Sequence, residues 1–174
     1  VVRSAAVHLA VMKVSLQRVT EASAIVLNEL GTPDPTFDMV QIGPGLVLTI
    51  EVEPDDDEGT LARMAHRVLT LRCFDGPQGQ LSSSVQEMHG EILSIPQPLT
   101  ILRRPAIGRP QLVSHNDDDE HANLMWIRFN EALRSGGVPV KEGRFGAHMR
   151  VGLVNDGPVT IVIDTETDMP DGSR

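Results

Sequence analysis

From residue 12 to 19 the chain reads MKVSLQRV, placing Val14, Leu16 and Arg18 on one face and Lys13, Ser15 and Gln17 on the other. That period of two predicts a strand. Residues 24–27 predict a second strand, with the polar or small residues 20–23 as the turn between them. Residues 31–38 carry Pro33 and Pro35 and read as a loop. After the Gly-Pro-Gly turn at 43–45, the β-branched-rich run 46–52 predicts a buried strand. The acids at 55–58 mark a helix start, because negative charge there complements the helix dipole. Leu61, Met64, Ala65, Val68 and Leu69 then form one apolar helical stripe. Residues 75–79 (DGPQG) read as a turn, 92–95 as a strand ended by Pro96 and Pro98, and 103–111 as a loop rich in Arg, Pro and Gly. A second helix follows the acids at 117–120, with Ala122, Met125, Trp126, Phe129 and Leu133 apolar and Gly136 and Gly137 stopping it. Short strands are predicted at 138–140, 149–154 and 159–163. The order is β-β-β-α-β-α followed by several strands, an α/β mixed fold whose sheet carries two helices on one side. The apolar strand faces exceed what two helices can cover, so some strands must pack on other strands or on a partner chain. Residues 12–164 are expected to form one domain, 1–11 an N-terminal extension and 165–174 a flexible polar tail.

Composition narrows the function. A length of 174 residues fits one domain. With 24 acidic against 15 basic residues, the formal net charge is -9. Sequence-independent binding of long nucleic acid is disfavoured by that charge, since phosphate contacts dominate such affinity. A local basic pocket for one end of an RNA is not excluded. The single cysteine, Cys73, leaves no internal disulfide and no multi-cysteine zinc site, and is natural in a reducing compartment. No apolar run approaches the length of a membrane span, and residues 1–11 lack the pattern of a signal peptide.

Generic catalytic motifs are missing. There is no HExxH, no phosphate loop ending in Lys, no GxGxxG and no GxSxG. His115, Asp117, Asp118, Asp119, Glu120 and His121 read as a solvated loop and an acidic helix start rather than a metal site. Cys73, following an apolar helical stripe, reads as a small core residue rather than a nucleophile. What stands out is NDGPVT at 155–160, a Gly-Pro dipeptide between two strand stretches, where proline is costly unless it shapes a turn or presents carbonyls. Equally unusual is GEILSIPQPLT at 90–100, which ends a strand with a glutamine between two prolines.

These segments resemble the D-aminoacyl-tRNA deacylase family. The resemblance rests on MKVSLQRV at 12–19, IGPGLVL at 42–48, LTLRCF at 69–74, LSSSVQEMHGEIL at 81–93 and, above all, RFNEALRSGGVPVKEGRFGAHMRVGLVNDGPVT at 128–160. It implies a three-layer homodimer, helices on a sheet packed on a second sheet, with each active site at the dimer interface. It implies hydrolysis of the ester joining a D-amino acid or glycine to the terminal adenosine of tRNA, in the cytoplasm, with no metal or other cofactor. Gly157 and Pro158 correspond to the family's cis dipeptide, whose carbonyls enter the partner's pocket and leave no room for an L side chain; such exclusion needs no favourable contact to the correct substrate. The resemblance further implies that the 2'-hydroxyl of the terminal ribose assists hydrolysis and that backbone N–H groups in the segment Gln97, Pro98 and Leu99 stabilise the oxyanion.

Other roles follow residue by residue from the same resemblance. Arg18 corresponds to an arginine that locks the dipeptide; its alternative is a strand-end surface charge. Met149 lines the same region or packs the strand core, and Asn155 and Thr160 either stabilise the turn or line the pocket. Arg103, Arg104 and Arg109, beside the Gln97 segment, are candidates for the phosphates of the acceptor end of aminoacyl-tRNA. The sequence departs from the family at 96–100, where Ser-Gln-Phe-Thr-Leu is replaced by Pro96, Gln97, Pro98, Leu99 and Thr100, and only Gln97 matches. A role for the family's threonine passes to Thr100 only with a one-residue shift. Pro96-Gln97 resembles a chirality-relaxed, animal-type paralogue whose dipeptide is trans and which removes L-alanine from threonine tRNA. Arg18 and NDGPVT resemble the D-specific group, and a homodimer that binds RNA or protein without hydrolysis is a further alternative.

Overall fold

A computed structural model describes residues 12–97, 100–103, 111–114 and 119–164. The chain order is β1 (Lys13–Val26), β2 (Val40–Ile42), β3 (Gly45–Glu51), α1 (Glu58–Thr70), β4 (Phe74–Gly76), β5 (Gly79–Ser83), β6 (Glu91–Pro96), β7 (Thr100–Arg103), β8 (Gln111–Ser114), α2 (Asp119–Ser135), β9 (Val140–Glu142) and β10 (Met149–Asp164). The extension 1–11, the tail 165–174, Pro98, Leu99, Arg104, Arg109 and His115–Asp118 lie outside the described residues.

A six-stranded sheet runs in the order β10-β1-β3-β6-β9, with β2 also paired to β1. β1 is antiparallel to β10, β2 and β3, whereas β3, β6 and β9 are parallel. Each parallel step needs a crossover, and α1 and α2 lie in those crossovers. Successive right-handed crossovers in one direction put both helices on the same face. Accordingly Leu61, Met64, Ala65 and Val68 of α1 and Met125, Trp126, Phe129 and Leu133 of α2 share one core with Val14, Leu16, Leu46, Leu48, Ile50 and Ile92. Ser94 also faces α2; it accepts a hydrogen bond from Trp126 Nε1 at 2.9 Å and donates to Asn130 Oδ1 at 2.7 Å, which satisfies a hydroxyl buried in that core. Asp57 caps α1, its carboxylate accepting from the Thr60 N–H.

The opposite face carries a smaller cluster: Val19, Ala22, Ala24, Ile42, Val47, Leu93 and Ile95. β1 supplies both clusters because its alternation slips. Val14 and Leu16 point to the helices, but after register shifts between Gln17, Val19 and Glu21 it is Ala22 and Ala24 that point the other way. A one-residue slip inverts every following side chain. The strand, turn and strand expected over 12–27 are thus a single strand, the polar stretch 20–23 being absorbed by the irregularity. The strands expected at 149–154 and 159–163 likewise belong to one, β10. The expected turn at 75–79 lies inside the β4–β5 hairpin, whose strands the sequence reading omitted. The expected loop at 103–111 begins and ends in strands, since Arg103 of β7 pairs with Gln111 of β8. Among the described residues no helix is long and apolar enough to cross a membrane.

Candidate active site

The pairing of β1 with β10 places Gln17 opposite Thr160 and, beyond the irregularity, Val19 opposite Asn155. Arg18 alone on β1 therefore faces four residues of β10, Asp156, Gly157, Pro158 and Val159. The surplus bulges from the sheet, and Asn155 to Pro158 are exposed. Gly157 has φ +128°, a region that side-chain-bearing residues rarely adopt. A Cβ built there would lie 3.0 Å from Val159 Cγ2 and 3.1 Å from Arg18 Nη2. The Gly157–Pro158 peptide is cis.

This exposed excursion is fastened from beneath. The Arg18 side chain is only 9% exposed and lies 3.4 Å from the Asp156 carboxylate and 3.7 Å from that of Asp75. Its Nε donates to the carbonyl of Asp156, immediately before Gly157, at 2.9 Å, and its Nη1 donates to the carbonyl of Cys73 at 2.9 Å. Guanidinium suits the task because its five N–H donors are fixed in one plane. Arg18 thus ties the excursion to the segment leading into β4, rather than standing as a surface charge at a strand end. Cys73 is a buried free thiol, pushed up to about 11 chiefly by burial against the opposing pull of Arg18. Such a thiol is inert as a nucleophile near neutral pH.

The second candidate stretch lies elsewhere. The Gln97 N–H donates to the Ile50 carbonyl at 2.9 Å, and Ile50 is opposite Val14. Val14 is four residues from Arg18, about 13 Å along a strand. Pro96 is buried and Gln97 exposed. Thr100 opens β7 opposite Ser114. Met149 is opposite Val26, eight residues along β1 from Arg18, and packs on the cluster that contains Leu93 and Ile95. Its Sδ accepts from the Arg144 N–H at 3.4 Å. One chain therefore groups Arg18, Asn155, Gly157, Pro158 and Thr160, while Pro96, Gln97 and Met149 stand apart from them.

Sequence reasoning missed an acidic cluster beside Gln97. Glu51 and Glu53 are each 9% exposed and Asp56 is 5% exposed. Asp56 accepts from the Met12 N–H at 3.0 Å and from the Glu53 N–H at 2.7 Å. Burial, followed by a hydrogen bond with Glu53, pushes the Glu51 carboxyl up to about 8. Burial also pushes Asp56 up to about 6, although its two backbone donors pull it down. The cluster's sequence signals were Glu51 interrupting an apolar run and Asp56, which was read only as part of the acidic helix start at 55–58. Both values exceed the ordinary carboxylate range, so the folded chain binds these protons more tightly than the unfolded chain. Their stabilising effect is present below about pH 4 and is lost as pH rises through about 6 and about 8. Glu51→Gln is therefore expected to raise the midpoint of thermal unfolding at pH 8.5 and to flatten its decline between pH 6 and 8.5. An unchanged decline in the variant would contradict this.

The D-Tyr-tRNA(Tyr) deacylase family model matches residues 15–164. A protein named D-aminoacyl-tRNA deacylase from Bifidobacterium longum subsp. infantis is 60% identical over 163 residues, covering 94% of this chain and 100% of that relative. A protein of the same name from Symbiobacterium thermophilum is 37% identical over 156 residues, covering 90% and 97%. A solved structure titled c-Myc DNA Unwinding Element Binding Protein superposes with a TM-score of 0.69 at 31% identity, covering 87% of this chain and 97% of that one. Another, of a probable eukaryotic D-amino acid tRNA deacylase, gives a TM-score of 0.66 at 19% identity, covering 88% and 99%, a likeness of fold. The family match and the relatives define a hydrolase. More particularly, the chain belongs to the D-Tyr-tRNA(Tyr) deacylase family.

Proposed function

We propose that the chain hydrolyses the ester of D-aminoacyl-tRNA and glycyl-tRNA in the cytoplasm, and that its Gly157-Pro158 excursion excludes L-amino acids. The observation that carries the reading is the buried Arg18 holding the Asp156 carbonyl, which fixes an exposed turn by its backbone. A rigid wall of carbonyls rejects by collision: hydrogen or a D side chain at the α-carbon passes, and an L side chain does not. The relatives' name supports the substrate class.

The site is completed by a second copy in a homodimer. Val151 of β10 is an exposed apolar residue beside Val47, Ile95 and Leu153 on the sheet face away from the helices, and a partner sheet laid on that patch would form the third layer. The excursion of one protomer then meets the Gln97 segment of its partner, which answers the separation of the two stretches within one chain. Around the ester, the N–H of Leu99 stabilises the oxyanion, Gln97 anchors the segment through its own N–H on the Ile50 carbonyl, Pro98 shapes the segment without a donor of its own, and Pro96 and Thr100 flank it. The protein positions the carbonyl while the terminal 2'-hydroxyl assists water, so no side-chain triad is required. Asn155 and Thr160 hold the two ends of the excursion, and Met149 lines the far side of the pocket. Arg103, Arg104 and Arg109 contact the terminal phosphates, and replacing all three with alanine is expected to weaken tRNA binding at low salt.

Mixed dimers test the shared site. Gly157→Ala and Gln97→Pro chains, each weakly active alone, the second because proline deletes the N–H held by the Ile50 carbonyl, are expected to regain about a quarter of wild-type activity when co-expressed, because about half of the dimers are then mixed and one of the two sites in each carries neither change. No recovery, or a monomer by sedimentation, would overturn the shared site. One observation favours a second reading: Pro96 stands in place of the family's serine, as in the chirality-relaxed group that removes L-alanine from threonine tRNA.

A further inference from the structure

Beside Gln97, on the sheet face away from the helices, a pocket of about 280 Å³ is lined by Lys13, Ser15, Thr49, Glu51, Gln97 and Val162. Its floor holds a buried carboxyl whose Oε1 has no hydrogen-bond partner among the described residues, that of Glu51. A buried acceptor left unmatched costs about 1–3 kcal/mol, so it marks a place for a donor. We propose that this pocket is a subsite for the cationic side chain of an aminoacyl ester, with Glu51 as the residue that selects it. The inference rests on the reading of Gln97 as lying at the ester.

Charge decides the class of ligand. Glu53 and Asp56, from the segment after β3, act on Glu51 as like charges, and Lys13 of β1, opposite it in the sheet, is the opposing cation. Asp164 of β10 is opposite Lys13, and His121 of α2 acts on Asp56. The surroundings are thus net acidic and disfavour a phosphate, whereas an ammonium or guanidinium supplies both donor and charge. Burial and the Glu53 contact hold Glu51 up to about 8. It is largely neutral at pH 6.5 and ionised at pH 8.5, so attraction for a cation strengthens as pH rises.

The test charges one tRNA with D-lysine or with D-norleucine, which matches its chain but lacks the ammonium. The readout is the ratio of kcat/KM for the two esters at pH 6.5 and 8.5. Titration of the α-amino group, ester lability and any general loss of activity are common to both esters and divide out. In the wild type the D-lysyl ester is expected to be favoured about five-fold at pH 8.5, mainly through KM, and less at pH 6.5. In Glu51→Gln the ratio is expected to be near one at both pH values. A wild-type ratio near one, or a preference unchanged in Glu51→Gln, would overturn the subsite while leaving the deacylase reading in place. Failure of folded wild-type protein to cleave either ester would overturn both.

Discussion

Replacing Gly157 with alanine is expected to lower kcat/KM for D-aminoacyl-tRNA by about 100-fold, the scale on which an ångström of misplacement acts. The backbone there has φ +128°, and the new methyl would meet Val159 Cγ2 at 3.0 Å and Arg18 Nη2 at 3.1 Å. Alanine at such a φ is destabilising by more than about 1 kcal/mol, so the excursion would relax into another shape. Because these residues protrude from the sheet, the helix-covered core should survive. The expected result is a folded protein by circular dichroism, with a cooperative melt and slow D-ester hydrolysis. Wild-type rates in the variant would show that the shape of this turn does not set the reaction.

Arg18→Ala is expected to have the second large effect, on stability and selectivity together. The guanidinium is buried and bonds two carbonyls, one in the excursion and one at Cys73. A hydrogen bond from a charged donor contributes about 1.5–3 kcal/mol, and the removed side chain leaves the Cys73 carbonyl short of its partner. A loss of about 3 kcal/mol in urea unfolding is expected. With its anchor gone the excursion moves, and the ratio of D- to L-aminoacyl hydrolysis is expected to fall at least about ten-fold. Arg18→Lys should restore part of the stability but little of the selectivity, since a point charge cannot reach both carbonyls as a planar fork does. Unaltered selectivity in Arg18→Ala would separate the anchor from the discrimination of chirality.

The helices were legible because each has an acidic start and one apolar stripe. Leu61, Met64, Ala65 and Val68 are buried as the spacing required, and Asp57 caps the first of them. The long strands were legible only in pieces. Residues 20–23 look like a turn in isolation, yet pairing of β1 with β10 on both sides of the bulge carries the strand through. The Gly-Pro break in β10 is concealed in the same way, by its partner strand. The short strands β4 and β5 carry too little alternation to read, and β7 and β8 flank a stretch that looks like a loop. For the site, NDGPVT and Arg18 were visible as residues. What Arg18 holds was not visible, because its acceptors at Asp156 and Cys73 are backbone carbonyls, which any residue could supply. Glu51 was missed for a related reason: its burial comes from packing beside Glu53 and Asp56, and no local pattern records it.

Side-by-side hydrolysis of a D-aminoacyl-tRNA, glycyl-tRNA and L-alanine carried on threonine tRNA tests the central claim most directly. Rapid loss of the first two esters with the L-alanyl ester spared is the expected result. An L-alanyl ester lost as fast as the glycyl ester would contradict exclusion by the Gly157-Pro158 excursion and favour the relaxed reading suggested by Pro96.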